Sequence, residues 1–357
     1  MDRRGEGQVL ALMSVPESDQ IRFLLNVQRL LTEGQFTATY KFALLMALAD
    51  LSIERGDNGG EPLDLPAESI AEKFIEYYWR QAVPFLGQGV LSQNKGRQPV
   101  VITLLARARD RHGDNLASAK RDNRAWRTLV AAVTRNIRQM PLRYLQNVGG
   151  GSLPFFYDQP KGTIAPATIR LRSGVAFCFR QFHELIAELV RGAWVRWVHQ
   201  QNLSLIGEKQ DLHAFLFGTA RSNLGTVRVA LQGIQTSCFY CRRSFGALPV
   251  VDHFIPWVLY PLDLGHNFVL AHGECNSQKR DLLPAEEHLA AWTDRNRRLG
   301  EELQIAFDQK GVLHNLLSTV SIATWAYSRA AANGGLTWRA RNEVMTLGGR
   351  WSSLLAR

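Results

Sequence analysis

Apolar residues recur at intervals of three and four over much of this chain, the spacing of one helix face. Residues 19–32 carry Ile21, Leu24, Leu25, Val27 and Leu31 and predict a helix that Gly34 ends. TYKFALLMALADLSIE, residues 39–54, predicts a second. Thr37 or Thr39 is its cap, and Phe42, Leu45, Met46, Ala49 and Ile53 form its core-facing stripe. Residues 56–66 mix Gly and Pro with polar residues and predict a loop. AESIAEKFIEYYWRQAV predicts a third helix, stopped by Pro84. Its aromatic cluster, Phe74, Tyr77, Tyr78 and Trp79, could stack on bases. At helical spacing, packing is the better reading.

A polar loop over 87–98 precedes a helix that begins at 100–108. Residues 123–139 are amphipathic: Trp126, Leu129, Val130, Val133 and Ile137 share one side, and Arg124, Arg127, Arg135 and Arg138 lie among the rest. Gly149 to Gly151 reads as a turn, since it lacks the Lys-Ser/Thr ending of a phosphate loop. Residues 153–157 and 168–172 predict two short strands, a hairpin around residues 160–162. Helical patterns follow at 177–201, at 211–220, and from residue 285 to the end, with a break at Gly334-Gly335. The expected organisation is a helical stretch over 1–147, short strands and long helices over 148–235, a compact module at 236–285 and a helical segment over 286–357. The fold class is mostly α with a small β-containing module, α+β in total.

Nearly half of the 357 residues are apolar, as in globular proteins, and no apolar run is long enough to span a membrane. The first twenty residues show no clear cleavage site, so no signal peptide is expected. The net charge of +10 suits a polyanionic partner such as nucleic acid. The charge is uneven: from Arg107 to Arg143 there are ten Lys or Arg against three Asp, a surplus of seven. Arg124, Arg127 and Arg135 are the candidate phosphate contacts there, against the plainer reading of a solvated face or of pairing with Glu72 and Glu76.

Three of the four cysteines fall in one stretch, CFYCRRSFGALPVVDHFIPWVLYPLDLGHNFVLAHGECNSQK, which begins at Cys238. Cys238 and Cys241 form one close pair, and His272 and Cys275 a second. Two such pairs supply the four soft ligands of a tetrahedral structural zinc site. A redox C-x-x-C is the alternative, but it opens a helix in a βαβ unit, and no such pattern surrounds these residues. A module this short needs such a staple. The remaining Cys178, in VAFCF, reads as a buried thiol, and this cysteine usage points to a reducing cytoplasm. Between the two pairs lies Asp252-His253, after Leu248, Val250 and Val251. Neighbours on a strand face apart, so for both to serve one site the chain must leave strand geometry near His253, where Pro256 ends the ladder. Asn276, directly after Cys275, begins a helix, and its amide oxygen could join the Asp252 carboxylate on a hard divalent cation.

In this order and spacing the stretch resembles the HNH nucleases, which have a ββα-metal fold. The resemblance covers about 45 residues, Cys238 to Lys279 and its flanks. It implies a metal-dependent endonuclease acting on phosphodiester bonds, most naturally in DNA, in restriction, phage defence or mobile-element cleavage. By the same resemblance His253 is the general base, Asp252 and Asn276 hold a catalytic Mg2+ or Mn2+, and Asn267 helps orient the base, an H-N-N variant. His266 beside it reads as a loop residue. Lys279 and Arg280, further along the same helix, are candidate phosphate contacts or a solvated helix face. The rival reading is a non-catalytic zinc-stabilised module that only binds nucleic acid.

Overall fold

The computed structural model describes residues 15–96, 98–206, 211–218 and 224–356. The start of the chain, and with it the reading that no signal peptide opens it, lies outside the described residues. So does the end of the helix expected over 211–220, whose described part is Leu212–Phe217. Helices dominate the described residues, joined by five small sheets of two or three strands. The chain divides into two compact units that alternate along the sequence: Met1–Phe74 with Thr134–Trp194, and Ile75–Val133 with Val195–Arg357.

In the first unit the Tyr40–Arg55 helix is buried from Tyr40 through Ala49 without a break. The sequence predicts a one-sided stripe there. The helix instead packs against the helices Val175–Gln181 and Pro141–Tyr144 and the strand Leu63–Pro66, so several of its faces meet protein. Even Lys41 is buried, its ammonium over the Phe36 ring, and desolvation lowers it to about 8. Arg180, also buried, donates to the carbonyls of Ser52, Ile53 and Gly56 and so closes the C-terminal end of that helix. Phe23, Phe156 and Phe179 meet pairwise at 5.0–5.7 Å between ring centres.

Strand Thr168–Leu171 forms where the alternation predicts it, but its partner differs. It pairs antiparallel with Leu63–Pro66, inside the stretch that reads as a loop, while Tyr157 adds only a single bridge to Leu171. Leu65 and Leu171 supply the buried positions that fix this register. The single helix expected over 177–201 is two, Val175–Gln181 and His183–Gln201, parted at Phe182.

In the second unit Val250–His253 pairs antiparallel with Phe268–Ala271, His253 opposite Phe268 and Val250 opposite Ala271. The helix Gly273–Lys279 follows directly. Behind this hairpin, Val251, Phe268 and Leu270 share a core with Val227 and Leu231 of the helix Leu224–Gln232 and with Leu303 and Phe307 of the helix Gly300–Lys310. The C-terminal stretch is not all helix. After Leu316–Ala332, a second hairpin, Leu336–Ala340 with Glu343–Thr346, adds Leu283–Pro284 as a parallel third strand. Its Trp338 is buried against Tyr240 and His288, at 5.1 and 5.6 Å between ring centres. No described helix is long and apolar enough to cross a membrane.

Candidate metal centre and active site

The turn at Cys238 is closed by Arg242 N–H donating to Cys238 O, with Arg242 itself at φ +63°. Phe239 N–H donates to Leu270 O and ties the turn to the second strand of the hairpin. At the end of that strand His272 caps the Gly273–Lys279 helix, whose first turn carries Cys275. Strand and helix thus deliver the second ligand pair to the first. The Sγ atoms of Cys238, Cys241 and Cys275 and a ring nitrogen of His272 all lie within 4.8 Å of one another. His272 Nε2 lies 3.1 Å from Ser244 O, and Nδ1 lies 3.3 Å from Cys241 Sγ. A proton on Nε2 satisfies the carbonyl and leaves the Nδ1 lone pair for a metal.

The sulfurs are electrostatically unequal. Burial raises the Cys238 thiol, but hydrogen bonds from the backbone at Cys241, His272 and Tyr240 and from the Cys241 thiol outweigh it and bring the thiol below its ordinary value. Burial, then Cys238 and Cys241 beside it, push the Cys275 thiol up to about 12. Sulfurs this close resist carrying several negative charges unless a cation joins them. Three thiols and an imidazole, with no carboxylate, are the donor set of a closed zinc site. This group could therefore hold a metal ion such as zinc. Cys178 stands apart as a free, buried thiol, pushed up to about 12 by burial and then by Asp19.

Strand pairing runs through His253, so Asp252 and His253 part to opposite sides. The Asp252 carboxylate, 7% exposed, accepts from Tyr240 Oη at 2.5 Å and pairs with Lys279 Nζ at 3.2 Å. Lys279 also donates to His253 O at 2.9 Å. Lys279 is fully buried, which corrects its reading as a phosphate contact or an exposed helix face. Its cation neutralises Asp252 inside the protein. Arg280 ends the helix at φ +51° and is exposed. Asn276 is half-buried one turn before Lys279, and its side chain takes part in none of these hydrogen bonds.

On the other side, His253 Nε2 lies 2.7 Å from Asp263 Oδ1, and the imidazole packs against Phe268 at 4.7 Å between ring centres. Both side chains are largely buried. Asn267 acts through the backbone: its Oδ1 accepts from Ile255 N–H at 2.8 Å, its Nδ2 donates to Ile255 O at 3.0 Å, and its carbonyl accepts from Phe254 N–H. It thereby fixes the chain just past His253 without touching the ring. The turn before Asn267 is set by close packing, since a Cβ on Gly265 would lie 2.5–2.8 Å from ring atoms of Phe307. Arg295, buried and lowered to about 9 by desolvation, donates to the carbonyls of Phe268 and His266 and holds the same segment from behind. Asp263, Tyr240 and Arg295 carry no sequence motif. Only the path of the 254–264 loop and the packing of the next helix reveal their roles.

Residues 20–216, more than half of the chain, match the family described as a domain of unknown function, DUF8808. The chain belongs to the DUF8808 family. No curated protein and no solved structure matches it. The DUF8808 match ends before Cys238, so the metal centre lies beyond it, whereas the basic segment lies within it. In that DUF8808 span Arg124, Arg127 and Arg135 are exposed, and none makes an ion pair among the described residues. The pairing considered with Glu76 is taken by Lys120 instead, at 3.1 Å. Arg138 differs, donating from Nε to Ala165 O at 2.7 Å. Arg124 and Arg127 belong to the second unit and Arg135 to the first.

Proposed function

We propose that this chain is an HNH-type endonuclease that hydrolyses phosphodiester bonds, DNA being the foremost substrate. The observation that carries the reading is the His253–Asp263 pair at the end of a β-hairpin, with the Cys238, Cys241, His272 and Cys275 cluster binding the hairpin to the helix that follows. Asp263 on Nε2 favours the tautomer that leaves Nδ1 as the proton acceptor. His253 Nδ1 takes a proton from water, the water oxygen bonds to phosphorus, and the P–O bond to the leaving strand breaks. The Asp263 carboxylate stabilises the imidazolium that results. General-base catalysis of this kind contributes about 10²–10⁴-fold. Restriction, phage defence and mobile-element cleavage, all cytoplasmic, are the settings this chemistry suits.

A Mg2+ or Mn2+ bound at Asp252 and Asn276 would supply charge neutralisation at the phosphate. The side chains as arranged do not fit one. Both Asp252 oxygens are engaged by Tyr240 and Lys279, and the buried ammonium already supplies the positive charge. That same observation favours the second reading, a zinc-stapled module that binds nucleic acid without cutting it. Incubating the purified protein with supercoiled plasmid and with RNA, in Mg2+, in Mn2+ and in chelator, separates the two. The nuclease reading expects nicked or linear plasmid in the metal arms, absent with His253→Ala. Intact plasmid in all arms, with the plasmid still bound, decides for the second.

A further inference from the structure

Within the second unit, the helix Val100–His112 and the part of the helix Asn123–Gln139 up to Ala132 border a groove of about 370 Å³. The first presents Leu104, Arg107, Ala108 and Arg111, residues three and four apart on one face. The second presents Arg124, Ala125, Thr128 and Ala132. The alanines leave the space, and Leu104, Leu129 and Trp126 make the apolar part of the lining.

The groove concentrates unneutralised charge. Arg107, Arg111 and Arg124 are exposed, and none of them makes an ion pair among the described residues. Three cations of the same segment that do not line it are engaged elsewhere, while Arg127 and Arg135 are exposed away from it. Arg109 pairs with Asp114, Lys120 pairs with Glu76, and Arg121 donates to Asp308 O. The single carboxylate in the lining, Asp122, accepts from Ala125 N–H and is committed to the helix start. Three guanidinium groups round one cleft repel one another unless an anion joins them. A guanidinium fork matches phosphate oxygens in geometry.

We infer that this groove is a phosphate-binding subsite that takes one nucleotide unit, its phosphate between Arg107, Arg111 and Arg124 and its base against the Trp126 side. The volume lies within the range of small-ligand pockets, and base–aromatic stacking tolerates any sequence. The groove also has a firm connection to the candidate active site. Asn115, which caps the short helix Leu116–Arg121 between its walls, and Arg121, which ends it, donate to Gly311 O and Asp308 O at the end of Gly300–Lys310. Phe307 of that helix packs on Gly265, beside Asn267. The nucleotide unit belongs either to a nucleic-acid strand or to a free nucleotide. The strand assignment rests on the nuclease reading above.

The test is binding of a labelled twelve-residue oligothymidylate in EDTA, over a salt series, with ATP as competitor. The wild type is compared with Arg107→Gln/Arg111→Gln, with Thr128→Glu on the groove wall, and with Arg127→Gln off the groove. The double variant is expected to bind on the order of tenfold more weakly. Its log–log salt slope should be shallower by about 0.7, the contribution of the one phosphate the groove neutralises on a single strand. Thr128→Glu weakens binding by repulsion, and Arg127→Gln does so less than either. ATP that binds while the oligomer does not, with the same variants abolishing it, assigns the site to free nucleotides. Equal weakening by Arg127→Gln and by the groove variants, or unchanged binding of both probes in the groove variants, would overturn the subsite. Plasmid cleavage in Mn2+ is scored separately. Cleavage that persists with the groove variants binding normally sinks this inference alone. Binding abolished by the groove variants, with no cleavage by the wild type, sinks the nuclease reading alone.

Discussion

Lys279 Nζ lies 3.2 Å from Asp252 Oδ2, and both side chains are almost sealed from solvent. A buried pair of this kind contributes little net stability, but removing one partner leaves an uncompensated charge and costs about 3–5 kcal/mol. Lys279→Met is therefore expected to lower the unfolding free energy by about 3 kcal/mol, and Asp252→Asn/Lys279→Met to recover part of it. Urea titrations measure both. A Lys279→Met protein as stable as the wild type would show that the pair is not formed in solution. The same substitution opens Asp252, so Mn2+ binding by paramagnetic resonance should strengthen in Lys279→Met if the ammonium is what excludes the cation.

The sulfur cluster and the Asp252 carboxylate are separate sites, and elemental analysis distinguishes them. One zinc per chain is expected in the wild type and is retained in Asp252→Ala and Asn276→Ala. Cys241→Ser and Cys275→Ser should lose it, and with it the register between the Cys238 turn and the Gly273–Lys279 helix. Zinc emptied by Asp252→Ala but kept by Cys275→Ser would reverse the assignment.

Asp263 is placed to hold the His253 ring by the 2.7 Å contact, and its role is positioning. His253→Ala should lose about 10²–10⁴-fold in cleavage while nucleic-acid binding persists. Asp263→Asn should lower kcat with KM unchanged, and Asp263→Glu should restore part of kcat. A loss confined to KM, or equal loss in the Asn and Glu variants, would point to a merely structural carboxylate.

The ligand spacing of the metal cluster was legible because each pair lies within four residues and a turn or a helix start alone brings it together. The hairpin was legible in part, from Val250-Val251 and Pro256. Lys279 read as a surface cation, because its burial depends on Tyr240 and Asp252, residues far off in sequence. Asp263 was hidden for the same reason. Strand Leu63–Pro66 and the hairpin of Leu336–Ala340 are too short for alternation to stand out beside the helical spacing around them, and only their buried partners, Leu171 and Tyr240, define them.

His266, 1% exposed, is held down to about 4, by burial first and then by His314 and Arg295. Its reference value is 6.5, so between pH 6.5 and 4 the unfolded chain binds a proton that the folded one refuses. This contribution is fully present above pH 6.5 and is lost as pH falls towards 4, a slope of about 1.36 kcal/mol per unit and a total of roughly 3 kcal/mol. The segment concerned carries Asn267, and its backbone is the acceptor for Arg295 and Trp292, so acid should loosen the candidate active site early. His288, also lowered, by burial first, acts in the same direction and remains in every variant. His266→Leu is therefore expected to keep only part of the acid sensitivity. Urea midpoints for both proteins at pH 7, 6, 5 and 4 give the comparison. Parallel pH profiles for His266→Leu and wild type would remove His266 as the source.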